Sequence, residues 1–392
     1  MNFIIFGDLF TFPDGQAATN RVYTYAKGLN ENGIKVHVVI FSSIYNEEHH
    51  GSVDGISYYH PFEQKVRSNS FFIRSRQKIK KYVRTYKLLK KINREDKVIA
   101  INSWTNLLST HLMAWVLAKL LRTKLITEIS EHPLKDYQGG GFIQKKKGNA
   151  QFYIESRLCD GILCISRFLV DFYKKNGVNP KKLFLIPSTV DPSRFVQTGS
   201  KPINYFYVGY FGSLTFKRDS VDILIKAFSK IAQAHPEVRL VLGGFCSDEV
   251  KKQIVDLVTV QKITDKVILV EYLTRQEILG YITHADILVM ARSKDMESDA
   301  SYPSKLTEFL ATGKPVVSVN VGEISDFLTD NKDAFLVEPG DSVAMAEKLN
   351  YIINKYEVAR QVGLKGKELT ASVFNYNYQA KRLLDFVNSL NK

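Results

Sequence analysis

The chain has 392 residues, 45% hydrophobic and 24% charged, which excludes a largely disordered or disulfide-stapled protein and leaves room for two or three cores. Its 54 Lys and Arg against 40 Asp and Glu give a formal net charge of +14, so an anionic partner is expected: a phosphorylated ligand, nucleic acid or an acidic membrane surface. Cys159, Cys164 and Cys246 show no paired spacing, which fits a reducing cytoplasm.

The N-terminus, MNFIIFGDLF, has no basic leader region, and its apolar run breaks at Gly7 and Asp8; it reads as a first core strand. A helical pattern follows from about Ala18 to Asn32. Then come the apolar runs VHVVIF, KVIAI, KLITEI, GILCIS and KLFLIP, alternating with longer amphipathic stretches. Short runs rich in β-branched residues, bounded by Gly, Pro or charge, predict strands buried on both faces of a parallel sheet. The segment LLSTHLMAWVLAKLL contains Ser, His and Lys and is too short to cross a bilayer comfortably, so no membrane span is expected.

Between VHVVIF and KVIAI lies Arg67 to Arg94, with eleven Lys or Arg residues and no acid. Phe71, Phe72, Ile73, Ile79, Tyr82, Val83, Tyr86, Leu89 and Ile92 recur near helical spacing, predicting basic amphipathic helices. Two readings stand side by side: a solvated basic face over a packed apolar stripe, or adsorption to an anionic membrane, where each cation adds about 1 kcal/mol. No zinc spacing or nucleic-acid-binding signature accompanies the charge, so no nucleic-acid partner is expected.

After Phe195 the polar stretch VQTGSKPIN reads as a linker, and the alternation restarts with YFYVGYFG, VRLVLGG, KVILVEYL, ADILVMA, PVVSV and AFLVE. This predicts two α/β domains, residues 1–200 and 201–373. A helical tail, 374–392, is expected to pack back on the first domain.

Two stretches of the second half carry candidate chemistry. In YVGYFGSLTFKRDSVDILIKAF a buried strand ends at Gly209 and Gly212, a loop bears Lys217 and Arg218, and a helix begins near Ser220. A glycine at the strand end lets backbone approach a ligand, a helix N-terminus attracts anions, and two adjacent cations suit a diphosphate. A polar loop with chance basic residues is the competing reading. In SYPSKLTEFLATGKPVV, Pro303 opens a helix and Gly313 closes it. Lys305 and Glu308 lie one turn apart. They form either a surface ion pair worth about 0.2–0.5 kcal/mol or a ligand-binding set, with the carboxylate on a ribose and the lysine on phosphate.

Together these pieces resemble the retaining glycosyltransferases of family 4. The resemblance runs through FPDGQAATNRVYTYAKGLNENGIKVHVVIF, through IESRLCDGILCISRFLVDFYKKNGVNPKKLFLIPSTVDPSRF, and through the motifs of the second half in the family's order. It implies the GT-B fold: α/β, two Rossmann-like, doubly wound parallel-sheet domains facing a central cleft. It further implies transfer of a sugar from a nucleotide-diphosphate sugar to a glycan or lipid-linked acceptor, with no cofactor and no metal. Surface-polysaccharide synthesis in a bacterial cytoplasm, peripheral on the inner face of the membrane, would be its setting. Carried over by position, Glu308 matches the family's ribose-binding glutamate and Arg218, with Lys217 beside it, the diphosphate-binding cation. The helix start at Ser304, Lys305 and Leu306 and the loop at Gly212 and Ser213 would meet the phosphates. Tyr272 and Leu273 would meet the nucleobase, Gly15 would approach the donor from the first domain, and His132 would contact the donor sugar or act only as a structural histidine before Pro133. Three features depart from the family: Ala300 stands where its first glutamate falls, beside Asp299, Ser213 replaces an arginine of the phosphate clamp, and the usual second glycine of the Gly15 loop is absent. A sugar-nucleotide epimerase on the same fold, or a non-catalytic basic protein binding membrane or nucleic acid, are the rival readings.

Overall fold

The computed structural model describes residues 1–41, 50–61, 69–133, 142–271 and 274–390. The chain divides into two compact units, one made of Met1–Thr189 with Tyr376–Lys392, the other of Val190–Asn375.

The first unit holds β1 (Asn2–Gly7), α1 (Ala17–Glu31), β2 (Lys35–Ile40), β3 (His50–Val53), β4 (Ile56–Tyr59), α2 (Phe71–Glu95), β5 (Val98–Trp104), α3 (Leu108–Leu121), β6 (Lys124–Ile129), α4 (Phe142–Tyr153), β7 (Gly161–Cys164), α5 (Arg167–Lys175) and β8 (Leu183–Leu185). Its eight strands are ordered β3-β4-β2-β1-β5-β6-β7-β8, and all neighbours are parallel except β3 and β4. Both faces of the sheet are covered, which is why β1 is buried along its whole length. Val22, Tyr25 and Leu29 of α1 pack on one face, with Leu163 and Ile186. Leu89 and Ile92 of α2 and Ala114, Leu117, Ala118 and Leu121 of α3 pack on the other, so α2 and α3 are neighbours in one outer layer.

The hairpin β3–β4 was not legible as strands from hydrophobicity, because HGSVDGISYY is half polar. Its signal is the turn: Asp54 and Gly55 both take positive φ, 49° and 76°, as a two-residue hairpin turn with the twist of its strands requires.

Residues of the segments that resemble family 4 act here as framework. Asp160 accepts from the Leu125 amide at 2.8 Å, and Ser166 caps α5 by accepting from Leu169 N at 3.2 Å. Lys182 Nζ donates to Cys159 O at 2.9 Å. Arg21 donates to Ile186 O and Pro187 O and pairs with Glu128 at 2.8 Å, all of it buried. Removing one partner of such a pair strands a buried charge and costs about 3–5 kcal/mol.

The segment Arg67–Arg94 gives one long helix, α2, over its described part, and its packing departs from one of the two readings, the packed apolar stripe. The core contacts of α2 begin at Lys81 and Tyr82, which lie against Phe41. Phe72 is 80% exposed and Ile79 62%, with Ile73 and Val83 also exposed, so these four are not a packed stripe. Lys81 is buried instead: its ammonium donates to Phe41 O at 2.6 Å and sits 3.8 Å over the Phe41 ring, and burial lowers its pKa to about 8. No helix among the described residues is long and apolar enough to cross a membrane.

The second unit holds β9 (Phe206–Phe211), α6 (Val221–Ile231), β10 (Val238–Gly243), α7 (Asp248–Val260), β11 (Val267–Val270), α8 (Arg275–His284), β12 (Ile287–Met290), α9 (Met296–Ala300), α10 (Ser304–Ala311), β13 (Val316–Val319), α11 (Ile324–Phe327), β14 (Phe335–Val337), α12 (Ser342–Asn354) and α13 (Tyr356–Thr370). Its six strands are parallel, ordered β11-β10-β9-β12-β13-β14. This is the order of a Rossmann sheet, and it reverses direction between β9 and β12. The last helix, α14 (Tyr376–Ser389), belongs to the first unit, where Ala380, Leu383, Phe386 and Val387 join the core layer of α1.

Candidate active site

In an open parallel sheet, ligands bind beyond the carboxyl ends of the strands where the strand order reverses. In the second unit that point lies between β9 and β12, and the polar residues following these two strands converge there. After β9, Gly212 takes φ +148°. A Cβ on Gly212 would fall 2.6 Å from Lys305 Nζ, so the glycine is what lets this ammonium lie against the strand end.

Lys305, from the first turn of α10, does not form the surface pair with Glu308 that its spacing allowed. Its ammonium donates to Tyr210 Oη at 2.6 Å and to Asp219 Oδ1 at 3.2 Å, and lies 4.4 Å from the centre of the Tyr210 ring. Tyr210, fully buried on β9, in turn donates to Asp219 at 2.8 Å. Thr215 Oγ1 donates to the other Asp219 oxygen at 2.7 Å. Burial lowers the pKa of Lys305 below the ordinary lysine value; Asp219 pulls it back up, and Arg292 and Arg218 lower it further. Burial, then Asp219, pushes the Tyr210 phenol far up, so it stays a neutral donor.

Arg292 follows β12 and lies in the same cluster. It is only 8% exposed. Its Nε donates to Ser298 Oγ at 2.9 Å and an Nη to Ser301 Oγ at 2.8 Å. Both hydroxyls pass their own protons to backbone carbonyls, Ser298 to Ser293 O at 2.8 Å and Ser301 to Glu297 O at 2.6 Å, which leaves their lone pairs for the guanidinium. Burial lowers the arginine's pKa, Arg218 adds to that, and Asp219 and Asp295 oppose it. The next residue ties the two loops together: Ser293 N donates to Arg218 O at 3.0 Å.

The structure therefore brings together Gly212, Arg218 and Lys305 among the sequence candidates, with Ser213 following Gly212, Lys217 exposed beside Arg218 in the loop, and Ser304 and Leu306 beside Lys305 on α10. Glu308 lies one turn further along α10, half-buried. Ala300 is fully buried at the end of α9. Tyr272 and Leu273 lie outside the described residues. Gly15 and His132 belong to the first unit. A Cβ on Gly15 would meet Thr11 and Thr19 hydroxyls at 2.3 and 2.2 Å. His132 is buried against Phe168 and Phe172 of α5, and burial lowers its pKa. Sequence reasoning missed Tyr210, Asp219 and Arg292. The one signal available was ADILVMAR, an arginine placed directly after a buried strand.

Comparison with known proteins gives the family and the fold. The sequence profile of Glycosyltransferase Family 4 matches residues 18–194, and that of Glycosyl transferases group 1 matches residues 195–369. The chain belongs to the family 4 glycosyltransferases. It is 23% identical over 357 residues to a phosphatidylinositol N-acetylglucosaminyltransferase component from Arabidopsis thaliana, covering 86% of this chain and 72% of that one. It is 22% identical over 208 residues to the capsular polysaccharide biosynthesis glycosyltransferase CapM of Staphylococcus aureus, covering 53% of this chain and 51% of the relative. Among solved structures, Anabaena Alr3699/HepE in complex with UDP-glucose aligns over 99% of both chains, with a TM-score of 0.72 at 15% identity. The two Rossmann-like sheets are those of the GT-B fold, and the protein is a glycosyltransferase.

Proposed function

We propose that this glycosyltransferase takes its sugar from a nucleotide-diphosphate sugar and passes it, with retention of anomeric configuration, to a hydroxyl of a glycan or lipid-linked acceptor in bacterial surface-polysaccharide synthesis. The observation that carries the reading is the cationic cluster at the switch point of the second sheet. Arg218, Lys305 and Arg292 gather around one aspartate, with Arg292 buried, Lys305 half-buried and Arg218 exposed. As the glycosidic bond to the donor breaks, negative charge builds on the departing diphosphate. Cations already fixed in place stabilise it without reorganisation, and no metal is called for. Glu308, one helical turn from Lys305, accepts from the ribose hydroxyls. The UDP-glucose bound by Alr3699/HepE and the capsular role named for CapM support the donor class and the setting.

The outer layer formed by α2 and α3 completes the reading as a surface for an anionic membrane that presents the acceptor. Phe72, Ile79 and Val83 on α2 and Leu112, Val116 and Leu120 on α3 are exposed, and Lys87, Lys90, Lys91 and Arg94 continue the same layer. Apolar side chains beside cations on neighbouring helices suit the boundary between headgroups and acyl chains.

Incubation with UDP-glucose and a panel of other nucleotide sugars, with and without acceptor glycans, tests the activity. Arg218→Ala lowers turnover more than tenfold while the fold is kept, since removing one oxyanion donor in comparable sites costs about 2.7–4 kcal/mol. Glu308→Ala also lowers it more than tenfold, by removing a charged acceptor of the ribose hydroxyls at about 1.5–3 kcal/mol. Unchanged turnover in both variants, or an epimerised donor formed without acceptor, overturns the assignment.

A further inference from the structure

A buried arginine with no carboxylate partner is an expensive feature, because the charge has left water without an ion pair to replace the lost hydration. Arg292 is such a residue. It is 8% exposed, its two hydrogen bonds go to neutral hydroxyls, and among the described residues it takes part in no ion pair. Its nearest charges are Arg218, Asp219 and Asp295; Asp219 is already engaged by Tyr210, Thr215 and Lys305, and Asp295 accepts from Ser298 N and Ser293 Oγ.

The anchoring gives the head group a fixed direction. Nε and one Nη are held by Ser298 and Ser301 on either side of the end of α9. The other Nη donates to no described residue, nor does it number among the fully enclosed polar atoms left without a partner. A guanidinium is a rigid fork, so pinning one side orients the other. The loop bearing Arg218 is bonded to the residue next to Arg292, which places both arginines at the same end of the sheet.

Ser213, directly after Gly212, brings no charge to the end of β9. We propose that Arg292, reaching in from the end of β12, binds a phosphoryl oxygen of the donor's diphosphate together with Arg218 and Lys305. The inference rests on the nucleotide-sugar reading above. It assigns to this chain a phosphate clamp assembled across the switch point, one arm after β9 and one after β12.

Inorganic pyrophosphate is the probe, since it carries the shared chemistry whatever the base and sugar. Its affinity for the full-length chain is measured by titration calorimetry, next to that of UDP-glucose. Arg292→Gln weakens pyrophosphate binding about tenfold or more, the scale of one hydrogen bond to a charged group. Arg292→Lys keeps the charge without the fork and weakens it about threefold. Ser213→Arg, placed in the Arg292→Gln background, restores at least half of the lost affinity on a logarithmic scale, a rescue that a merely structural role for Arg292 would not produce. Equal pyrophosphate affinity of wild type and Arg292→Gln, within twofold, overturns the role of Arg292 and leaves the donor reading standing. If Arg292→Gln does not fold, Arg292→Lys decides by the same twofold limit. A wild-type protein that binds neither pyrophosphate nor any nucleotide sugar overturns the donor reading itself.

Discussion

Gly212→Ala tests how the candidate site is held together. At φ +148° any side chain strains the backbone, at a cost of about 1–3 kcal/mol. The new Cβ would lie 2.6 Å from Lys305 Nζ and 3.0 Å from its Cε, about 1 Å inside ordinary contact, so the lysine must withdraw. Its bonds to Tyr210 Oη at 2.6 Å and Asp219 Oδ1 at 3.2 Å then break, at about 1.5–3 kcal/mol for a charged donor. The sum is about 2.5–6 kcal/mol, a fall in Tm of roughly 5–24 °C for a unit of this size. Differential scanning calorimetry of Gly212→Ala, Lys305→Ala and the double variant separates the two parts. With Lys305 gone, only the backbone term remains, so the cycle shows a coupling of about 1.5–3 kcal/mol. Gly244→Ala is the contrast: its Cβ would fall 1.9 Å from Gly212 O, a backbone atom, and Lys305→Ala does not relieve it. Additivity of Gly212→Ala and Lys305→Ala within about 0.5 kcal/mol would refute the account of Gly212 as the residue that admits Lys305.

Flotation with anionic phosphatidylglycerol vesicles checks the membrane surface: Lys87, Lys90, Lys91 and Arg94 changed together to Gln, or Val83→Glu with Val116→Glu, abolish recovery in the lipid fraction at physiological salt. Undiminished recovery of both variants removes that part of the proposal. Lys81 behaves differently from its neighbours on α2, because it faces inward. Between about pH 8 and 10.5 the unfolded chain holds a proton the folded chain has released, so stability rises with pH across that window, by up to about 3 kcal/mol from this group. Lys81→Met diminishes the rise in a series of urea midpoints from pH 7 to 10.5; the same rise in the variant shows that the ammonium is not buried as described.

The legible part of this protein was whatever repeats along the chain. Continuous apolar runs placed all six strands of the second unit and six of the eight in the first, since strands buried on both faces need no polar face. The helix from Ser304 and the glycine after β9 were readable because turn and cap chemistry is local. The hairpin β3–β4 escaped because its strands are half polar and only Asp54-Gly55 marks it. Of the two readings of α2, the packed stripe failed: a helix whose first turns leave the core keeps its apolar spacing, but exposes Phe72 and Ile79 and buries Lys81.

Sequence by itself determined the strand-and-helix alternation, the family resemblance and the loop and helix on which the candidate residues sit. Only the tertiary structure decided which of them meet. Lys305 and Glu308 are three residues apart in the chain, yet the lysine's partners are Tyr210 and Asp219, nearly a hundred residues earlier. Arg292 became visible once β12 lay beside β9 in the sheet. The physical reason is that a charge's role depends on what desolvates it and which charges surround it. Those neighbours come from separate strands that the chain order keeps far apart.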